Sequence, residues 1–230
     1  MIGCITAFLP CRKGSERTPR KNIRPFGSFP HGLVEIKLQQ LLTCPDIDEV
    51  VLSTNDEEIL NHAETLKAPR LRLHQRAEHL ASSATSTDAL TGHARELIPS
   101  GHILWTHVTS PFVGAALYSE IIAAYRRALT EGCDSLMTTT QLHTFLWAED
   151  GPLNYDRSAE KWPRTQTLAP VHEVNSAVFL APAAVYSRHD DRIGERPRLY
   201  PIDRLAALDI DWEEDFIIAE QLYLNGLAST

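Results

Sequence analysis

Apolar residues in this chain come in short runs set between amphipathic stretches. The run IGCITAFL at 2–9 has the length and continuity of a strand buried on both faces. In GLVEIKLQQLL the apolar positions Leu33, Ile36, Leu38, Leu41 and Leu42 fall at helical spacing. EVVLST at 49–54 predicts a second buried strand, and Asn55 with Glu58 supplies a capping-box pattern for a helix over 56–67. The alternation continues with a strand in RLRLH, a helix in STDALTGHARELI opened by Ser86 or Thr87, and a strand in HILWTHV. Next comes a helix with Leu117, Ile121, Ile122, Tyr125 and Leu129 on one face, stopped by Gly132, and then the strand CDSLMTTT. Such an alternation predicts an α/β fold, a mostly parallel sheet with helices on both faces.

The rhythm breaks near Gln141. TFLWAEDGPLNYD reads as a hairpin around Asp150-Gly151, followed by the polar stretch RSAEKWPRTQTLAP and a strand in VNSAVFLA. Residues 140–175 are therefore expected to form an inserted β-rich arm, suited to dimerisation, on a core made of 1–139 and 176–230. The last segment, LDIDWEEDFIIAEQLYLNG, predicts a short strand with two aspartates and then an amphipathic helix closed by Asn225-Gly226.

Composition narrows the function classes. The 230 residues, 43% hydrophobic and 23% charged, are enough for one large α/β domain with an insertion. No apolar run approaches the roughly 20 residues that span a bilayer, and the first residues lack the basic flank and cleavage site of a signal peptide. Cys4, Cys11, Cys44 and Cys133 show no CxxC spacing, which argues against structural zinc or a disulfide framework and for a reducing cytoplasm. The net charge of −8 argues against general nucleic-acid binding.

Against that acidic background one stretch stands out. LPCRKGSERTPRKNIRPFG, Leu9 to Gly27, sets six cations (Arg12, Lys13, Arg17, Arg20, Lys21 and Arg24) against the single acid Glu16. The stretch directly follows the first predicted strand, and open parallel sheets bind ligands beyond the carboxyl ends of their strands. Gly14 and Ser15 offer backbone N–H groups there, the cations offer charge, and phosphate oxygens are the natural complement. It is neither a P-loop nor a dinucleotide fingerprint. A solvated basic loop is the plain alternative. The second candidate is Asp209-Ile210-Asp211, whose carboxylates would share one face of a strand. Oxygen ligands so placed suit Mg²⁺, which takes one or two carboxylates and fills its shell with phosphate oxygens and water. The alternative is a helix start with Asp211 as the cap.

These segments together resemble the CMP-sugar-acid synthetases, the acylneuraminate cytidylyltransferase family. The loop resembles the family signature, and RAEHLASS, THVTSPF, RTQ at 164–166, EVNSAVF and DIDWEEDFIIAE resemble five further family segments in the same order. The resemblance implies a Rossmann-like, GT-A-like nucleotidyltransferase fold and a Mg²⁺-assisted transfer of CMP from CTP to an acidic acceptor. It implies CTP binding by Arg12, Lys13, Gly14, Ser15, Lys21 and Asn22, with Arg76, Leu80, Ala81 and Ser82 towards cytosine and ribose. Arg12, Lys21 and Asp211 would be catalytic, Asp209 and Asp211 would hold the metal, and a homodimer is expected.

Departures from the family pattern fall on the acceptor side, at Ser83, His107, Val113-Gly114 and Asn175-Ser176. His107, Arg164, Gln166 and Asn175 are the acceptor candidates, and Arg164 is first choice for the acid group. A sialic-acid-like nonulosonic or related sugar acid is the leading acceptor, and a small phosphonate such as phosphonoformate is the alternative. A non-catalytic nucleotide sensor and a sugar-1-phosphate nucleotidyltransferase are the competing functions.

Overall fold

The computed structural model describes residues 3–15, 17–82 and 85–230. Ile2 of the expected first strand, Glu16 of the basic loop and Ser83 lie outside the described residues.

Seven strands form the main sheet: β1 (Ile5–Cys11), β2 (Glu49–Thr54), β3 (Leu71–Gln75), β4 (His102–Thr106), β5 (Ser135–Leu142), β8 (Val171–Pro182) and β9 (Pro197–Pro201), in the order β3-β2-β1-β4-β8-β5-β9. A separate hairpin pairs β6 (Trp147–Ala148) with β7 (Gly151–Pro152). All main-sheet pairings are parallel except those of β8, which runs antiparallel to both β4 and β5. The helices are α1 (Gly32–Thr43), α2 (Glu57–Thr65), α3 (Thr87–Leu97), α4 (Ala115–Thr130), α5 (Ala183–His189) and α6 (Glu213–Leu224).

The period-two alternation of the strands sorts them into two cores. Leu9, Val50, Leu52, Leu104, Val178 and Leu180 face a core shared with α1, α2, α4 and α6. Phe8, Val51, Ile103, Trp105, Phe179 and Ala181 face the other, under α3 and α5. Phe8 and Trp105 meet edge to face at 4.9 Å, an arrangement worth about 0.5–1.5 kcal/mol beyond area burial. Lys37 of α1 is fully buried, and its Nζ donates to Ser110 O (2.8 Å), Val113 O (3.4 Å) and Tyr118 Oη (2.9 Å). Gln40 Nε2 donates to Pro111 O at 2.6 Å. Two side chains of α1 thus fix the loop that follows β4.

Several local expectations are corrected. Asp56, not Asn55, caps α2: its side chain accepts from Glu58 N, while Asn55 Oδ1 is taken by Lys13 N. The hairpin turns at Glu149-Asp150, one residue earlier than expected, because Gly151 already pairs with Ala148. The stretch 209–211 is extended but carries no strand pairing, and Trp212 rather than Asp211 is the cap of α6. Asp215 reaches back from the first turn, its Oδ2 accepting from Asp211 N (3.0 Å) and Trp212 N (2.7 Å). Helix α5 and strand β9 had no clear pattern; β9 is an exposed edge strand with a proline at each end, where a missing N–H is tolerated.

Candidate active site

At the carboxyl end of the sheet, the basic loop and the 209–211 stretch meet. Loop 12–31 leaves β1 and is tied inward along its length. Lys13 N donates to Asn55 Oδ1 (2.8 Å), and Asn22 Nδ2 donates to Arg12 O (3.0 Å). Asn22 O accepts from Val34 N (2.9 Å), seating the loop on α1. Gly14 has φ +73°, a left-handed conformation that glycine adopts without steric cost.

Among the described residues, Lys21, Arg17 and Thr18 join the loop to the acidic stretch, and Arg24 joins it to the start of α6. Lys21, 8% exposed, donates from Nζ to Ile210 O at 2.6 Å and to Asp211 Oδ1 at 3.4 Å. Arg17 faces Asp211 Oδ2 at 3.5 Å. Thr18 Oγ1 donates to Asp211 O at 3.4 Å. Arg24 pairs with Glu213 through both nitrogens (3.0 and 2.7 Å), its guanidinium 3.6 Å from the Phe216 ring centre.

Between loop and stretch opens a cleft of about 650 Å³. It brings together Arg12, Gly14, Ser15, Lys21, Asn22 and Arg76 from the expected nucleotide set, with His107, Asp209 and Asp211. Other candidates sit elsewhere. Lys13 lines a neighbouring cavity with Arg20, His31 and Glu58. Leu80 belongs to a short 3₁₀ turn after β3, followed by buried Ala81 and exposed Ser82, and none of the three lines the cleft. Arg164 and Gln166 are exposed at a turn of the 143–170 segment, also outside it. Asn175 is buried and structural: its Oδ1 accepts from Thr138 Oγ1 (2.8 Å) and Ala177 N (3.3 Å), holding an irregularity in the β5–β8 pairing. The next residue, Ser176, lines the cleft at φ +58°.

Sequence reasoning missed Arg17, Thr109 and Arg192 as cleft residues. Arg17 was in the counted charge run. Arg192 stands alone in an unpatterned turn, and only the fold carries it to the site.

The electrostatics of the cleft are set by burial. Asp209 Oδ1 is buried without a hydrogen-bond partner, and burial, reinforced by Asp211, raises the pKa of this carboxyl against a bond from Thr109. Ile210 N donates to Thr109 O (2.9 Å) and the Ile210 side chain is fully buried, which leaves both carboxylates on the cleft. A divalent cation fits this donor set: it would give Asp209 the partner it lacks and favour its charged form. Among the described residues no cluster of three or more His, Cys, Asp or Glu is placed to hold a metal ion. Burial, with Arg192 next in effect, pushes the His107 pKa down to about 3, so its ring is neutral. Cys11 at the root of the loop is pushed up to about 12 by burial, an unreactive thiol. No helix among the described residues is long and apolar enough to cross a membrane.

A mostly parallel sheet with a cleft rich in Arg and Lys at its carboxyl ends is the design of a Rossmann-like nucleotidyltransferase. The chain belongs to the cytidylyltransferase family: that family's sequence profile, described as "Cytidylyltransferase", matches residues 6–226. It is 26% identical over 225 residues to a pseudaminic acid cytidylyltransferase of Campylobacter jejuni, covering 94% of each chain. Its fold is similar to that of a CMP:2-keto-3-deoxy-manno-octonic acid synthetase solved with CTP (TM-score 0.66, 12% identity, 97% of this chain and 99% of that one). It is also similar to a 4-diphosphocytidyl-2C-methyl-D-erythritol synthase from Anaerococcus prevotii (TM-score 0.67, 16% identity, 97% and 96%). The protein is thus a nucleotidyltransferase of the cytidylyltransferase class.

Proposed function

We propose that this enzyme uses CTP and Mg²⁺ to transfer CMP to a sugar acid of the nonulosonic, sialic-acid-like class, releasing pyrophosphate. One observation carries the reading: Lys21 bridges the cationic loop and Asp211 at a cleft that also holds Asp209, whose Oδ1 is buried without a hydrogen-bond partner. An acceptor hydroxyl would attack the α-phosphorus and give up its proton to water, the bond from that phosphorus to the bridging oxygen would break, and pyrophosphate would leave with the bonding electron pair. Arg12, Arg17 and the N–H groups of Gly14 and Ser15 would hold the phosphates. Lys21 would neutralise charge that grows on the leaving group, the step where preorganised cations help most. Asp209 and Asp211 would hold Mg²⁺, which when bound supplies further charge neutralisation at the phosphates.

The acceptor class is supported by a relative that matches nearly the whole chain and whose name specifies pseudaminic acid. A small acceptor such as phosphonoformate would need His107, Arg164 and Gln166 as one compact anion-binding set, and the three do not share the cleft within one chain. Arg164 and Gln166 would reach an acceptor only in a second copy's cleft. Trp147, Leu153 and Trp162 of the same segment, 46%, 67% and 62% exposed, supply an apolar face for such a homodimer. The test is a panel of four nucleoside triphosphates crossed with pseudaminic acid, sialic acid, octulosonate and phosphonoformate, read by pyrophosphate release. The proposal requires CTP, Mg²⁺ and a sugar acid together. CTP binding without turnover on any acceptor would favour a nucleotide sensor.

A further inference from the structure

Arg192 has the environment of a ligand-binding cation and, among the described residues, no protein acid to serve. It follows α5 in the turn before β9, and its guanidinium packs 3.6 Å from the Phe179 ring centre and 5.2 Å from that of Trp105. Those rings come from adjacent strands, β8 and β4, which face each other in register. The guanidinium is thereby fixed in plane and position. No carboxylate of the described residues lies within 4.0 Å of it. Its neighbour Asp191 instead accepts from the Arg192 backbone N–H at 2.6 Å. The other cations at the acidic stretch, Lys21 and Arg17, are already engaged with Asp211. Half-burial strips water from Arg192 and lowers its pKa, so a desolvated charge faces the cleft.

His107 belongs to the same assembly. Trp105 Nε1 can only donate, so at 3.1 Å His107 Nε2 must accept, and the proton of the neutral ring sits on Nδ1. That Nδ1–H has no partner among the described residues. Phe179, Arg192, Trp105 and His107 form a continuous series that presents a planar cation and a neutral N–H donor to the cleft. A carboxylate is the planar anion that matches a guanidinium fork.

We infer that Arg192, with His107 beside it, is the specificity-determining anchor for the carboxylate of the acceptor. The inference rests on the reading of the cleft as a CMP-transfer site for sugar acids. It moves the role first assigned to Arg164 onto a residue that the same chain places in the cleft.

The test uses steady-state pyrophosphate release with the full chain, CTP and Mg²⁺. The acceptor is whichever of pseudaminic acid, sialic acid, octulosonate and phosphonoformate the wild type uses best, compared with its carboxamide. Arg192→Met should raise the acceptor KM by about 10- to 100-fold while the KM for CTP moves by no more than about twofold. The wild type should prefer acid over carboxamide by a similar factor, and the variant should lose that preference. Arg192→Lys, which keeps the charge without the fork, should fall between the two, and it replaces the Met variant if that protein fails to fold. An unchanged acceptor KM, or equal losses for acid and carboxamide, would overturn the inference alone. A wild type that turns over none of the four acceptors would overturn the underlying reading and the inference with it.

Discussion

Lys21→Met separates what the residue does for the fold from what it does for the reaction. In the structure its Nζ donates to Ile210 O at 2.6 Å and contacts Asp211 at 3.4 Å, with the side chain nearly buried. A hydrogen bond from a charged donor contributes about 1.5–3 kcal/mol, and an orphaned buried carbonyl costs about 1–3 kcal/mol. Two effects offset the loss. The methionine stem keeps the packing, and no ammonium is any longer held out of water. Asp211 is half exposed and keeps Arg17, so water and that cation compensate it. The net destabilisation should be about 1–2 kcal/mol, a shift of roughly 0.5–1 M in the urea midpoint for an m-value near 2 kcal/mol/M. Turnover should fall further, by about 10²–10³-fold, because the lost charge faces the leaving phosphates as their negative charge grows. Urea unfolding followed by tryptophan fluorescence, paired with pyrophosphate release at saturating CTP, reads both effects. If the midpoint fell while turnover stayed within about twofold of wild type, Lys21 would be only a structural bridge and its phosphate role would be refuted.

Asp211→Asn should lose most turnover and raise the Mg²⁺ concentration needed for half-maximal rate, while thermal stability changes little because Asp215 caps α6; full activity at limiting Mg²⁺ would refute the metal role. His93, buried against Ser53 with its pKa lowered to about 4, binds protons less readily in the folded state than in the unfolded one. Its contribution is complete above about pH 6.5 and is lost as pH falls towards 4, by up to roughly 1.4 kcal/mol per pH unit. His93→Gln should therefore flatten the stability profile over that window, and an unchanged slope would rule the group out. Ser176→Gly should raise the urea midpoint by the equivalent of about 0.5–1 kcal/mol, since it removes a non-glycine side chain from φ +58°; a lowered midpoint would contradict that. The homodimer proposed through this face predicts that Trp147→Ser with Trp162→Ser sediments as a monomer where the unsubstituted protein sediments as a dimer, and equal coefficients for the two proteins would exclude that face as the contact.

The strands were legible because their burial is written as continuous apolar runs: EVVLST became β2 without a residue's change. The long helices were legible from spacing. What escaped were elements whose stability is not local. Strand β9 exists because β5 offers it a parallel edge, and its own residues are largely exposed. The bulge at Asn175-Ser176 depends on Thr138 across the ladder. At the site, charge contrast singled out the loop, spacing singled out the aspartates and the family resemblance added Asn22; the structure places Arg12, Lys21, Asn22, Asp209 and Asp211 on one cleft. The reason offered for the aspartates was incomplete: they share the cleft through the Ile210 N–H to Thr109 bond, not through a strand. Arg192 was illegible because its meaning comes from Phe179 and Trp105, residues 13 and 87 positions away in the chain.

The most direct measurement is ³¹P NMR of the 230-residue protein with CTP, Mg²⁺ and pseudaminic acid. Conversion of the CTP signals into one phosphodiester resonance and one pyrophosphate resonance of about twice its intensity, as the two equivalent phosphorus atoms of pyrophosphate require, abolished in Asp211→Asn, is the expected result. Unconverted CTP with every sugar acid tried, or the same products from the Asp211→Asn protein, would contradict the transfer of CMP in this cleft.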